Sequence, residues 1–469
     1  MCSSDLIVSA RMSGDEYLES GLAQEDCLRI AQRLTQDGLV DMINVIGGQM
    51  HDRMDFGWSM PSMNQPMAPQ LHLASAVRAE IEAPVIYASR ITDPETANRA
   101  VADGHVDLVG MTRGHMADPQ IVNKLTEGRP EDIRECVGAA YCVDRAFAGQ
   151  DALCIQNPAT GREERLPQVI ESGFGTPRKV VVVGAGPGGL EAARVSAARG
   201  HDVVLLEKAD KVGGQVNVAA LAPKRESLSG IPRWLEGQVR KLGVDLRLET
   251  EATSEMVMAE DPDVVVIATG GEPDIGVFEG TELATSTWDI LEGKVAPGER
   301  VLVHDDQGRQ AAAGCAEMMM ARGAEVEFVT PDGHAVQELG FLTAPFLMRA
   351  LYDGDAVITP DTRLVRLQAE GNHLIAILRN IYNDREEERE VDQVVAEHGT
   401  RPNEAVYFAL KDASANGGEL DLDGMAAGSP QPIVNNPDGR FQLYRVGDAL
   451  ASRNIHAAIY DSLRICHGL

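Results

Sequence analysis

The chain of 469 residues exceeds the size at which one apolar core keeps growing, so several domains are expected. Forty-two Lys plus Arg against 72 Asp plus Glu leave a formal charge of −30, which repels phosphate backbones and anionic lipid and disfavours nucleic acid and membrane partners. No apolar run approaches the roughly 20 residues needed to cross a bilayer, and Met1–Ala10 lacks the basic-then-apolar design of a signal peptide, so a cytoplasmic location is expected.

Residues 5–130 alternate short apolar runs with helical periodicity. The runs are Leu6–Ala10, Met42–Ile46, Pro84–Ala88 and Asp107–Met111; the helical stretches are 22–37, 69–82, 94–103 and 119–126. Tandem strand-helix units of this kind predict an α/β class with a parallel sheet. Glu127–Gly175 has no sustained period and holds turn-formers such as Asn157-Pro158, so it reads as a cofactor loop leading to a linker. Lys179–Val183 then predicts a buried strand and Asp202–Glu207 a second one, a helix later. The strand Asp263–Ala268 ends in Thr269-Gly270-Gly271, Glu299–Thr330 repeats the strand-turn-helix-strand plan, and Phe441–Leu463 closes with a strand, Gly447-Asp448 and a helix. Two nested nucleotide-type folds are the simplest account.

Gly184-Ala185-Gly186-Pro187-Gly188-Gly189 follows a strand and opens a helix, with Glu207 at the end of the next strand. This is the full context of a Rossmann dinucleotide turn. Gly184 permits the bend, Gly186 lets the backbone approach a pyrophosphate, Gly189 lets helix pack on strand, and Glu207 is set to accept from ribose hydroxyls. Gly214 and Gln215 offer a second small-residue turn to the same nucleotide. The corresponding turn of the second unit reads His304-Asp305-Asp306-Gln307-Gly308. Two carboxylates, expected to be ionised at neutral pH, stand where a pyrophosphate would approach and argue against NAD(P) there.

Of the seven cysteines, Cys136, Cys142 and Cys154 cluster on the irregular segment, while Cys2, Cys27, Cys315 and Cys466 are scattered and read as ordinary packing or surface residues. Seven in so long a chain suggest reduced thiols rather than a disulfide scaffold. Three thiolates close in sequence suit iron–sulfur or zinc, with reduced structural thiols as the bland alternative.

With these features in order, the chain resembles the trimethylamine dehydrogenase and 2,4-dienoyl-CoA reductase family of flavoproteins. The stretches that carry the likeness are Val109–Arg113 with Ala117-Asp118-Pro119, Asp132–Arg134 to Cys136, Cys154 with Asn157-Pro158, and Gly184–Gly189. Met111-Thr112-Arg113 together with Cys136–Cys142 look most like the N-methylproline, or N-methyl amino acid, demethylase branch. The resemblance implies the C-terminal half of a (β/α)8 FMN barrel at 1–130, lacking the first four units, and an iron–sulfur loop and linker at 131–175. An FAD- or ADP-binding Rossmann domain is implied at 176–290, a degenerate NAD(P)-binding-like insertion at 291–400, and a return segment at 401–469. It implies that Arg11, at the end of the first strand, contacts the FMN ring, that Ser89, Arg90, Thr112 and Arg113 hold its phosphate, and that Gly447 and Asp448 hold a ribityl hydroxyl. Cys136, Cys142 and Cys154 match three of the family's four cluster ligands and Ala139 takes the place of the other. A [3Fe–4S] cluster, a [4Fe–4S] cluster with a non-cysteine ligand, or no cluster each fits.

The function implied is oxidative N-demethylation of a small N-methylated amine or amino acid, with electrons passed to a carrier protein and room for a homo-oligomer. An NAD(P)H-dependent enoyl-CoA-type reductase and a non-catalytic nucleotide-binding fragment are the alternatives. No catalytic residue can be named. Asp52 and Asp55, after the second strand, are candidates for facing substrate, against a solvated-loop reading.

Overall fold

In the computed structural model, which describes residues 6–173, 175–427 and 429–469, short apolar strands build the first part of the chain. Cys2 and the start of Met1–Ala10 lie outside the described residues. Strands β1 (Ser9–Ser13), β2 (Met42–Ile46), β3 (Val85–Tyr87) and β4 (Leu108–Val109) form a parallel sheet in that order. One face of it packs under the helices: Ile43, Val45, Val85 and Tyr87 are buried with Leu73 and Val77 from the helix Leu71–Glu80. The first strand forms three residues later than Leu6–Ala10 predicts. Val8 donates to the Asp41 carboxylate (2.7 Å) and accepts from Asp41 N (2.8 Å), so the ladder starts only at Ser9 opposite Met42. Arg11 therefore stands mid-strand opposite Asn44 rather than at the strand end, and it is exposed.

The chain divides into two units, Met1–Gln150 with Gly340–Phe346, and Asp151–Leu339 with Leu347–Leu469. The division falls inside 131–175, assigning Cys136 and Cys142 to the first unit and Cys154 to the second.

In the second unit β5 (Lys179–Val183), β6 (Asp202–Leu206), β7 (Asp245–Arg247) and β8 (Val264–Ile267) join a late strand in one parallel sheet. The runs Val180–Val183 and Val264–Ile267 are buried throughout, as strands covered on both faces must be. Short β9 (Gly271–Pro273) leads into a second sheet made from β10 (Thr285–Ser286), β11 (Arg300–Asp305), β12 (Glu325–Val329), β13 (Val357–Thr359) and a later strand. The antiparallel strands β14 (Thr362–Glu370), β15 (His373–Asn380) and β16 (Glu386–Val391) follow, then β17 (Gln393–Glu397), β18 (Thr400–Pro402) and β19 (Gln442–Arg445). The sheet orders are β19-β8-β5-β6-β7 and β10-β17-β11-β12-β13, all parallel; β9 and β18 pair antiparallel. The first order reverses direction between β5 and β8, and the Gly184 turn opens at that switch point, where ligands of open parallel sheets bind.

Candidate functional site

In the first unit Ser89 and Arg90 follow β3 and are buried, Arg90 with a left-handed φ of +48°. The Nε and Nη1 atoms of Arg90 are buried with no hydrogen-bond partner. Burial, with repulsion from Arg113, pushes the Arg90 guanidinium down to about 10. Arg113 is tied by Nη1 to Pro61 O (2.7 Å), and Thr112 is exposed at the start of the short helix Thr112–Ala117. A buried cation with unanswered donors beside a second cation is what a phosphate dianion would complete, so these residues fit an FMN phosphate.

Around Cys136 and Cys142 the backbone winds through two left-handed residues, Gly138 (φ +72°) and Ala140 (φ +59°). Gly138 N donates to Cys136 Sγ (3.4 Å), while its carbonyl accepts from Met63 N (2.7 Å). A Cβ on Gly138 would lie 2.5 Å from Arg90 Nη1, so the loop passes directly over the buried guanidinium. Cys142 sits on the helix Tyr141–Phe147; burial and the Cys136 charge raise its thiol against the pull of Arg113. Asp144, one residue on from Val143, fixes that helix by accepting from Leu342 N (2.6 Å) and Thr343 Oγ1 (3.0 Å). Cys154, in the second unit, is buried. Within the first unit the thiols of this loop are Cys136 and Cys142, and Ala139 adds none. Cys27, Cys315 and Cys466 are buried packing residues.

Asp52 is spoken for: its carboxylate accepts from Asp55 N (2.9 Å) as the N-cap of the helix Arg53–Ser59.

The dinucleotide turn is sterically specific. A Cβ on Gly184 would lie 2.4 Å from Ala268 O, and one on Gly189 would lie 1.8 Å from Gly184 O, whereas Gly186 faces open space. The helix Pro187–Ala198 has Gly186 as N-cap and no side-chain cap, which leaves its first amides for an anion. Gly213 N reaches Ala185 O (2.8 Å) and a Gly214 Cβ would sit 3.3 Å from Gly186 Cα, so the second small-residue turn lies on the first. Gln215 starts the helix Gln215–Ala219, with its amide 3.4 Å from a Cβ built on Gly270. Glu207 is buried, and both its oxygens already accept backbone amides, Ala185 N (2.6 Å) and Ala209 N (2.9 Å). It therefore braces the turn from below the strand end. Gly447 has φ +61°, and Asp448 accepts from Thr400 Oγ1 (2.9 Å) and Arg453 N (3.1 Å).

At the second turn the two carboxyls diverge, for the hydrogen bond with His398 holds Asp306 below the usual carboxylate range. Asp305 is fully buried, and burial pushes its carboxyl up to about 7, against the amides of Gln307 and Gly308 and helped by neighbouring Glu397. Its Oδ1 accepts from Gln307 N (3.0 Å) and Gly308 N (3.2 Å), so the carboxyl itself takes the amides that an anion would use, while Oδ2 is buried without a partner. Beside it Leu364 N donates to His304 Nε2 (3.2 Å), and His304 Nδ1 meets His398 Nε2 (3.0 Å), whose Nδ1 faces Asp306 (3.3 Å). A backbone amide only donates, so His304 carries its proton on Nδ1, and burial pushes the ring down to about 3.

Residues 1–132 match the NADH:flavin oxidoreductase / NADH oxidase family and residues 179–304 match FAD dependent oxidoreductases. The chain is 46% identical to an N,N-dimethylglycine/sarcosine dehydrogenase of Chromohalobacter salexigens, over 98% of this chain and 68% of that one. The chain belongs to the family of this dehydrogenase. It is a flavin-dependent oxidoreductase. A probable N-methylproline demethylase of Rhizobium meliloti is 45% identical over the same shares, 98% and 68%. Among solved structures, a 2-naphthoyl-CoA reductase complex superposes with a TM-score of 0.83 at 28% identity, over 98% of this chain and 64% of that one. The chain thus spans about two thirds of the length of the proteins it matches. No described helix is long and apolar enough to cross a membrane.

Reading the sequence missed two residues in this flavin oxidoreductase. Thr400, the partner of Asp448, was signalled by Ala396–Pro402, whose glycine and proline after a buried strand echo Ala268–Pro273. His456, which contacts the Cys154 carbonyl, had no local signal.

Proposed function

We propose that the protein catalyses oxidative N-demethylation of a small N-methylated amine or amino acid. The observation that carries this reading is its similarity, over 98% of the chain, to two relatives named for N-methylated substrates. The reaction balances as N-methyl amine plus water giving the demethylated amine, formaldehyde, two electrons and two protons. Bound FMN supplies the acceptor for the hydride equivalent leaving the N-methyl group. Arg90 and Arg113 hold its phosphate, with Ser89 and Thr112 beside them, and Arg11 lies on the sheet face away from the helices. Cys136, Cys142 and Cys154 would supply thiolates to an iron–sulfur cluster, Ala139 leaving the remaining position to a non-cysteine ligand or to none. The amides at Gly186–Gly189, with Glu207, Gly214, Gln215, Gly447 and Asp448, hold FAD or ADP.

Electrons pass to a carrier protein rather than from NAD(P)H, because Asp305 takes the amides of the second turn. The reductase reading draws on the 2-naphthoyl-CoA reductase likeness and is separated by one comparison. The flavin-loaded protein is mixed with sarcosine, dimethylglycine or N-methylproline and an artificial one-electron acceptor, and separately with NADPH. Formaldehyde release with no flavin bleaching by NADPH is expected; bleaching by NADPH without formaldehyde from any substrate would overturn the demethylase reading.

A further inference from the structure

The closing helix Ile455–His467 starts from its N-cap Asn454, whose side chain accepts from Ala457 N (2.9 Å), one short loop after Gly447-Asp448. It lies along Pro187–Ala198 so closely that a Cβ on Gly188 would sit 3.4 Å from Ala458 O. Its second residue, His456, is buried and its Nδ1 lies 2.7 Å from Cys154 O. The other ring nitrogen, Nε2, is 3.2 Å from Arg162 Nη1, which also donates to Pro158 O (3.0 Å). A carbonyl only accepts and a guanidinium only donates, so both partners select one tautomer, with the proton on Nδ1. Tyr460, one turn on, stacks on His456 at 5.8 Å between centroids and carries the guanidinium groups of Arg162 (4.0 Å) and Arg464 (3.9 Å).

We propose that His456 is a positioning residue that fastens the Cys154 backbone to the helix packed on the pyrophosphate turn, so that nucleotide binding and the placing of the third thiol are coupled. The inference rests on the reading of Gly184–Gly189 as a nucleotide turn and of Cys154 as a cluster ligand. Its energy source is local: an ADP pyrophosphate on the amides at Gly186–Gly189 orders the start of Pro187–Ala198, the closing helix packs on that start, and His456 carries the order to Cys154. Coupling of this kind is reciprocal, so a placed Cys154 also favours the nucleotide.

The test needs no assembled cofactor. Maleimide labelling of Cys154 in the flavin-free and metal-free chain is followed by peptide mass spectrometry with and without ADP, in wild type, His456→Leu and His456→Gln. ADP should slow labelling of Cys154 about tenfold in wild type. His456→Leu should label about tenfold faster than wild type without ADP and gain no protection from it. His456→Gln, which retains a donor and an acceptor, should regain most of the protection. Labelling of Cys154 at the wild-type rate in His456→Leu, or equal protection by ADP in both, overturns the proposal. Should the Leu variant not fold, absence of ADP protection in wild type overturns it equally. Iron content after reconstitution is read in parallel: a wild type that holds no iron removes the cluster reading, while the labelling rates still decide the role of His456.

Discussion

Replacing Arg90 by Met removes a buried charge whose cost can be worked from the structure. The guanidinium falls from 12.5 to about 10 through burial and repulsion from Arg113. At 1.36 kcal/mol per unit that is about 3 kcal/mol of disfavour for the cation in the flavin-free fold. A depressed base weighs on stability below its folded value and is relieved only as pH rises above about 10, so the full effect is present at neutral pH. Arg90→Met should therefore leave the flavin-free protein no less stable, or more so, while FMN loses its best cation and binds about a hundredfold more weakly. Urea unfolding of the flavin-free proteins and quenching of FMN fluorescence measure the two limbs. A variant that loses more than about 1 kcal/mol of flavin-free stability while FMN affinity stays within about threefold would refute the argument and make Arg90 a packing residue.

Other substitutions test the remaining sites. Asp305→Asn keeps an acceptor for the Gln307 and Gly308 amides but abolishes the charge; because the carboxyl rises from 3.8 to about 7, wild type should lose stability relative to the variant as pH climbs from 4 to 7 and stay at that offset above, by about 4 kcal/mol at most. Parallel offsets in urea melts at pH 5 and pH 8 would count against it. Gly189→Ala drives a methyl into Gly184 O and should abolish ADP binding in calorimetry, with a stability loss of about 2 kcal/mol or more. Ala139→Cys restores a thiol next to Gly138 and should raise iron retained after reconstitution; unchanged iron would mean that the loop does not hold the metal through that position.

What the sequence reveals depends on how local the cause is. Lys179–Val183 and Gly184–Gly189 are legible because burial on both faces and the bend are properties of a few consecutive residues. The link from His456 to Cys154 spans 302 residues and has no periodicity to betray it. The state of Asp305 is equally hidden, since it depends first on burial by the assembled sheet and then on Glu397 arriving beside it on β17. The start of β1 turns on one side chain, Asp41, which diverts Val8 from the ladder. The antiparallel β14–β16 went unread because its last strand carries Glu386, Glu387 and Glu388, a run that resembles a solvated loop and in the fold charges an exposed edge.

The pairing of Pro273 with Thr400 has an architectural consequence. Everything between them departs and returns through a single doorway roughly 5 Å wide, and the sheet β19-β8-β5-β6-β7 is complete without it. Joining the two neighbouring chain ends would leave the threading of that sheet unchanged, but it would also remove Gly340–Phe346, which belongs to the first unit and holds Asp144. The self-capped Asp305 turn lies beyond that doorway, while the Gly184 turn belongs to the sheet that is complete without it.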